Sequence, residues 1–289
     1  MPCERFNLCN YLGPGCDWED EQTWQLANAE PKQRLPRFPF MNHEHRSDQP
    51  DVIPFIHMLE RRDKLPATDR SLIRSLPFRI QTFANGAELV AENSRPGESC
   101  MIFKGFAARS QFLRGGERQI TALHIAGDFV DLHAYLLKVM DHSVVAIGAC
   151  EVGYVPHEAI RRVTEQSHHL ARLFWLSTVL DGAIQRTWIT CLGRRSAQQH
   201  MAHLFCELYL RLEAAGIASQ NRFEFPLKQG QFADVLGLSL VHVNKNIQKL
   251  RSSGLVDWKD GIVIINDFDR LAEFAEFDAT YLSLRAEPR

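Results

Sequence analysis

The spacing of apolar positions changes character along the chain. Between residues 54 and 75 it is helical in two short pieces. Ile56 and Leu59 supply the first apolar face, Leu72 and Ile73 the second, and Pro66 with Thr68 and Asp69 marks a fresh helix start. From Leu76 to about Glu151 the pattern shifts to short β-type runs: Glu88–Val90, Cys100–Phe103, Phe106–Phe112, Gln119–Ile125 and Val144–Ile147. Asn85-Gly86, Pro96-Gly97, Gly105, Gly115-Gly116 and Gly127-Asp128 punctuate them. Turn signals about every ten residues with no helix between predict a sandwich or roll rather than βαβ units.

From Pro156 the helical period returns. Glu158–Gln166 is one piece and His168–Leu192 a longer one, with Gly193 as its expected stop. On the longer piece Leu173, Leu176, Leu180, Ala183 and Thr187 fall near heptad spacing, the pattern of a helix–helix seam. A further helix is predicted from Ser196 to Ala214, ending at Gly216. The last third then carries a short helix Lys228–Leu236, a tight turn Gly237-Leu238-Ser239 and a second helix Leu240–Arg251. Val243, Ile247 and Leu250 form the buried stripe of that second helix. A hairpin follows, Val256–Trp258 and Ile262–Ile265 around Lys259-Asp260-Gly261. Helix, tight turn, helix and hairpin in this order predict a winged helix-turn-helix.

Residues 1–50 lack this periodicity and are rich in proline and acidic residues, which predicts a flexible extension. A start at Met41 would remove most of it. The chain has 289 residues, 45% hydrophobic and 24% charged, an ordinary globular composition. No apolar run is long enough for a membrane-spanning helix and no secretory leader pattern opens the chain, so the expected location is the cytoplasm. With 33 basic against 35 acidic residues the net charge is −2, which gives no global sign of nucleic acid. Residues 194–266 nevertheless hold nine basic and six acidic groups, a local +3. The seven cysteines form no C-x-x-C pair and read as free thiols.

Taken in order, these parts resemble the Crp/Fnr family of bacterial transcription regulators over roughly residues 54–270. The resemblance rests on two motifs. One is the glycine ladder Asn85-Gly86-Ala87-Glu88, Pro96-Gly97-Glu98, Phe103-Lys104-Gly105 and Ile125-Ala126-Gly127-Asp128-Phe129; the other is Gln231–Ser239 followed by Val243–Leu250. It implies an α+β fold with an N-terminal jelly-roll-like β-roll sensory domain (51–166), a dimerisation helix (167–193) and a C-terminal winged helix-turn-helix domain (194–270). Residues 1–50 and 271–289 are left as extension and tail. The implied partners are double-stranded DNA, a second copy of the chain, RNA polymerase and an unknown small-molecule effector, with no membrane. The family acts by binding rather than catalysis, and no catalytic residue is expected.

The DNA face predicted for the second helix is Ser239, Leu240, Val241, His242, Asn244, Lys245, Gln248 and Lys249. By the resemblance, Lys245 stands where family members commonly place an arginine on guanine. A lysine reaches the same acceptors as a point charge rather than a fork. The acidic reader usual near the helix start is replaced by Leu240 and Val241, which can offer only apolar contact, as to thymine methyls. Asn246 stands where the motif has an apolar residue.

In cyclic-nucleotide-binding members a Gly-Glu-Leu segment and an arginine hold the ribose and the cyclic phosphate. Here Gly127–His133 reads Gly-Asp-Phe-Val-Asp-Leu-His, and Met140–Val145 holds no arginine. These losses argue against cyclic AMP and mark a divergent subgroup. The expected effector pocket is Asp131, Leu132, Asp141, His142 and Ser143. Two other chemistries rank below plain readings. An iron–sulfur cluster would use Cys3, Cys9 and Cys16 with Cys100, against the reading of scattered thiols. A metal or haem would use His124, His133 and His142, nine residues apart, against the reading of turn histidines. No cofactor and no metal ligand is therefore expected. The competing reading from another class is a metal- or small-molecule-binding roll, or an enzyme, with the helical domain as a structural appendage.

Overall fold

The computed structural model describes residues 51–288. The extension 1–50, with Cys3, Cys9 and Cys16, lies outside them. Helices α1 (Ile53–Glu60) and α2 (Ala67–Arg74) come first, as their spacing predicts. Five antiparallel strands follow: β1 (Arg79–Phe83), β2 (Glu88–Val90), β3 (Glu98–Phe112), β4 (Arg118–Ile125) and β5 (Ser143–Pro156), with the short helix α3 (Ala134–Leu137) before β5. The order across the sheet is β1-β5-β3-β4, with β2 also on β5.

The two runs Cys100–Phe103 and Phe106–Phe112 are one strand. Register slips against β5 at Lys104 and Phe106 bend it, and Gly105 at φ +85° lies at the bend. Such bulges let a 15-residue strand curl around its own core instead of projecting flat. β3 is buried almost continuously, because both faces of the curled sheet are covered. Inside the roll lie Cys100, Ile102, Ala107, Val130, Met140, Val144 and Val152. Outside it, α1, α2 and α4 (His157–Gln166) pack on Met101, Phe103 and Val155. Gly127, at φ +95°, passes so close to α1 that an added Cβ would stand 3.0 Å from the backbone of Pro54 and Phe55.

Helix α5 (His168–Arg194) has 27 residues, about 40 Å at 1.5 Å per residue. Ser167 caps it, its hydroxyl accepting from Leu170 N and donating to the buried Asp69 carboxylate. The helix does not stop at Gly193 but runs through it to Arg194. Termination falls to Ser196, whose side chain caps α6 (Ala197–Ala214) in a capping box with Gln199. Helix α6 is buried along nearly its whole length and carries the second core.

Around α6 assemble β6 (Arg222–Glu224), α7 (Gln229–Leu236), α8 (Leu240–Ser252), β7 (Val256–Lys259), β8 (Ile262–Ile265) and α9 (Phe268–Ala275). Phe205, Phe225, Phe232 and Trp258 meet edge to face or tilted, with centroids 5.2–6.5 Å apart. Strand β6, which the sequence reading did not identify, adds to the wing in the order β6-β8-β7. Residue 270 falls inside α9, so a domain limit there would cut a helix. Leu271, Ala275 and the later Leu282 are buried, because the segment after 270 closes over α5 and α6.

Candidate functional site

The turn between α7 and α8 depends on Gly237, which takes φ +63° and satisfies the α7 end by donating to Ala233 O. Ser239 then caps α8, accepting from His242 N at 3.4 Å. With Val243, Ile247 and Leu250 facing the core, Leu240, Val241, His242, Lys245, Gln248 and Lys249 are left exposed, and Asn244 is half-buried. The predicted face is thus brought together on one side of one helix, with Leu240 and Val241 at its N-terminal end. Asn246 has an account as well. Its Nδ2 donates to His242 O at 2.8 Å, so the amide is satisfied by its own helix rather than by the core.

Several of the charged groups counted in this segment are already engaged. Arg211 is buried, donating to Asp128 Oδ2 at 2.7 Å and Glu207 Oε1 at 3.2 Å. Arg195 is engaged with the carbonyls of Ala275 and Glu276. Asp234 of α7 is held by Arg118 of β4 at 2.5 Å, and Gln119 donates to Asp234 O at 2.8 Å. Lys245 and Lys249 remain free of any ion pair among the described residues and lie on the α8 face itself.

The second feature is a cavity of 440 Å³ between the roll and α5. Strands β3 and β4 give it Arg109, Gln111 and Thr121. The α3–β5 region gives His133, Asp141 and His142, and α5 gives Thr178, Asp181, Gln185 and Trp188. Of the expected pocket residues, only Asp141 and His142 line it. Asp131 is buried, its Oδ1 accepting from Cys100 N at 2.6 Å, and burial pushes its carboxyl up to about 7. Leu132 belongs to the outer core under α1 and α4. The Ser143 hydroxyl donates to Glu88 at 2.7 Å on the outer side of β5. These three residues serve the scaffold because the chain doubles back at α3, so that alternate positions face opposite sides.

Arg109 and Asp181 were missed by sequence reasoning. Arg109 supplies the cation that the 140–145 segment lacks, from a strand 30 residues earlier. It is already neutralised, donating to Asp181 Oδ2 at 2.7 Å. Burial would raise Asp181, but Arg109, together with His124 and His133, holds the carboxyl below the ordinary range. A signal existed: Asp181 is the single acid between Glu165 and Glu207, in the middle of an otherwise uncharged helix face. Burial first and Arg109 second lower His142 to about 4 and His133 and His124 below their usual value, so all three rings are neutral at pH 7. Cys100 is completely buried, and burial with Asp131 nearby pushes its thiol well up, the opposite of a ready thiolate ligand.

Of the expected seam residues, Leu176, Ala183 and Thr187 are half-buried, while Leu173 and Leu180 pack inside the chain. Leu173 is fully buried against α1 and α4, and Leu180 is 8% exposed beside Phe55, Met58 and His124. Both are used inside the chain. The large apolar side chains that α5 leaves in solvent are Trp175, Val179, Ile189 and Leu192, Trp175 at 69% and Ile189 at 68% exposure. Trp188, by contrast, is buried and donates to Glu207 Oε2 at 3.0 Å.

The comparisons with known proteins follow the same division. The model of the cyclic nucleotide-binding domain matches residues 80–167, and that of the Crp-like helix-turn-helix domain matches residues 199–274. The transcriptional activator protein FnrL of Cereibacter sphaeroides is 25% identical over 182 residues, 62% of this chain and 73% of that protein. The nitrogen fixation regulation protein FixK of Bradyrhizobium diazoefficiens is 26% identical over 193 residues, 67% of this chain and 80% of that protein. Among solved structures, FixK2 from Bradyrhizobium japonicum superposes with a TM-score of 0.60 at 20% identity, over 69% of this chain and 98% of that one. A roll, a long helix and a winged helix-turn-helix in that order, with both domain models and these relatives in agreement, place the chain in the Crp/Fnr family of DNA-binding transcriptional regulators.

Proposed function

We propose that the chain acts in the cytoplasm as a homodimer on a two-fold symmetric operator, laying α8 of each protomer in the major groove. The observation that carries this is the α8 face: Leu240, Val241, Lys245, Gln248 and Lys249 stand exposed on one side of a capped helix whose opposite side is locked into the core. A single such helix makes few base contacts. Two of them, about 34 Å apart, read half-sites one helical turn apart. Lys245 and Gln248 are the base readers, Leu240 and Val241 the apolar contacts at the groove floor, and Ser239, His242, Asn244 and Lys249 the flanking contacts. The exposed row Trp175, Val179, Ile189 and Leu192 on α5 supplies the dimer seam.

The cavity between roll and α5 is the sensory pocket. It touches both the domain that receives a signal and the helix that would transmit it. Its arginine is already paired with Asp181 and its rim carries Asp141, which disfavours a cyclic phosphate. Transcriptional output then passes to RNA polymerase through DNA occupancy, and the chain acts by binding rather than catalysis.

The test is genome-wide mapping of bound DNA followed by titration of the mapped operator with Lys245→Ala. A base contact predicts a loss of about 1–3 kcal/mol and relaxed preference at one position per half-site. A phosphate contact predicts uniform weakening and a salt slope lower by about one per site. If Lys245→Ala binds as tightly as wild type across the salt range, α8 is not the reading helix.

A further inference from the structure

One wall of the sensory cavity has a composition that recognition of an organic effector does not call for. His133 immediately precedes α3 and His142 immediately precedes β5, and the segment between them brings the two rings together, centroids 5.3 Å apart. Asp141 Oδ1 lies 2.7 Å from His142 Nδ1. One ligand-type atom from each of His133, Asp141 and His142 falls within 4.8 Å of the other two. His142 is 4% exposed, and its Nε2 is buried without a hydrogen-bond partner. An imidazole nitrogen left in that state bears a desolvation cost that a bond to a cation would remove.

We propose that His133, Asp141 and His142 form a binding site for one divalent first-row transition-metal ion of the zinc or ferrous type, with a coordination position open to the cavity. Two imidazoles and a carboxylate are a donor set suited to such ions. Around a tetrahedral ion with bonds of about 2.0–2.1 Å, ligand atoms stand about 3.3 Å apart. His142 would bind through Nε2, so Asp141 gives up its 2.7 Å contact with Nδ1, and ligand atoms within 4.8 Å of one another close to that spacing by side-chain movements of about 1.5 Å. The groups that would move have room: the Asp141 side chain is 72% exposed and His133 is half-buried. The nearest cation, Arg109, has its charge balanced by Asp181, and Asp141 adds a negative charge at the ion. His124, the third histidine of the nine-residue series, does not join the group. It lies behind the cavity, lining a smaller pocket with Leu180 and Arg211.

Three protein ligands leave a fourth position for water or for an oxygen or nitrogen of a small molecule held in the 440 Å³ cavity. The inference rests on the reading of this cavity as the sensory pocket for its regulatory meaning, not for the existence of the site.

The experiment uses the full-length, tag-free chain, stripped of metal and titrated with cobalt(II), then competed with zinc(II). The proposal expects one equivalent per chain with visible d–d bands of nitrogen and oxygen ligation. His133→Ala and Asp141→Ala should each weaken binding at least tenfold, while the metal-free variants keep wild-type circular dichroism and melting. Three outcomes overturn it: no stoichiometric uptake by wild type, uptake unchanged in both variants, or a sulfur-to-cobalt charge-transfer band showing that cysteines hold the ion. Operator binding is followed in parallel with and without zinc. Loss of the site with operator binding intact removes this proposal alone. An intact site without operator binding removes the reading-helix assignment alone.

Discussion

At the scale of single residues, burial decides which polar groups act and which only hold the roll together. Asp131 is the clearest case. Its carboxylate accepts from Cys100 N in an apolar interior, and its folded pKa is raised by burial to about 7, above the ordinary value near 4. The folded chain therefore holds a proton that the unfolded chain releases. Stability should be highest below about pH 4 for this group, fall as pH rises toward 7, and level off above it. Asp131→Asn keeps an oxygen for Cys100 N and removes the titration, so its melting temperature should exceed wild type at pH 8 and the difference should shrink toward pH 5. An equal difference at both pH values would place the carboxyl outside this account. Asn246 makes the converse point: a polar residue in an apolar slot of the motif is tolerated because its own helix satisfies it.

At the scale of elements, α5 shows how one helix carries two apolar faces with different duties. Leu173 and Leu180 complete the protomer's own core, whereas Trp175, Val179, Ile189 and Leu192 stand largely exposed. The two faces differ by a single position in sequence at 179 and 180, which makes a sharp test. Val179→Glu should yield monomers by light scattering while the circular dichroism stays that of a folded chain. Leu180→Glu places a carboxylate against Phe55 and Met58 and should instead lower the unfolding free energy by several kcal/mol. If Leu180→Glu dissociates a fully stable dimer and Val179→Glu does not, the seam runs along the buried face after all.

At the scale of the whole molecule, a buried polar network joins the parts. Arg211 of α6 reaches Asp128 and the Leu123 carbonyl at the roll, and on its own helix it pairs with Glu207. Glu207, itself fully buried, accepts from Trp188 of α5 at 3.0 Å and from Tyr281 near the C-terminus at 2.8 Å. Burial pushes the Glu207 carboxyl up while Arg211 and these donors pull against it. Arg211→Met removes the one cation and leaves Asp128 and Glu207 facing each other's charge in the interior. The expected loss is about 3–5 kcal/mol in urea denaturation, since breaking a buried pair strands its partner. A loss within about 0.5 kcal/mol, the range of an ordinary surface substitution, would show that the network is not buried in solution.

Most of the architecture was legible in the one-dimensional pattern because its determinants are local. Glycine at 237 permits the turn, the stripe Val243, Ile247 and Leu250 fixes which side of α8 faces outward, and Pro66 and Gly216 mark helix limits. Helix α5 extends two residues beyond the expected Leu192 because Gly193 can end a helix but need not, and the backbone leaves the helix only at Arg195. The site divided along the same line. The reading face needs only one helix with one side occupied, so its residues could be named in order along the chain. The cavity draws Arg109, His133, Asp141, His142 and Asp181 from one strand, the segments flanking α3 and a helix across 72 positions, and no periodicity couples residues that far apart. Heptad spacing picks out one apolar stripe on α5, Leu173, Leu176, Leu180, Ala183 and Thr187. Only the packed roll, by burying Leu173 and Leu180, decides which face is left for a partner.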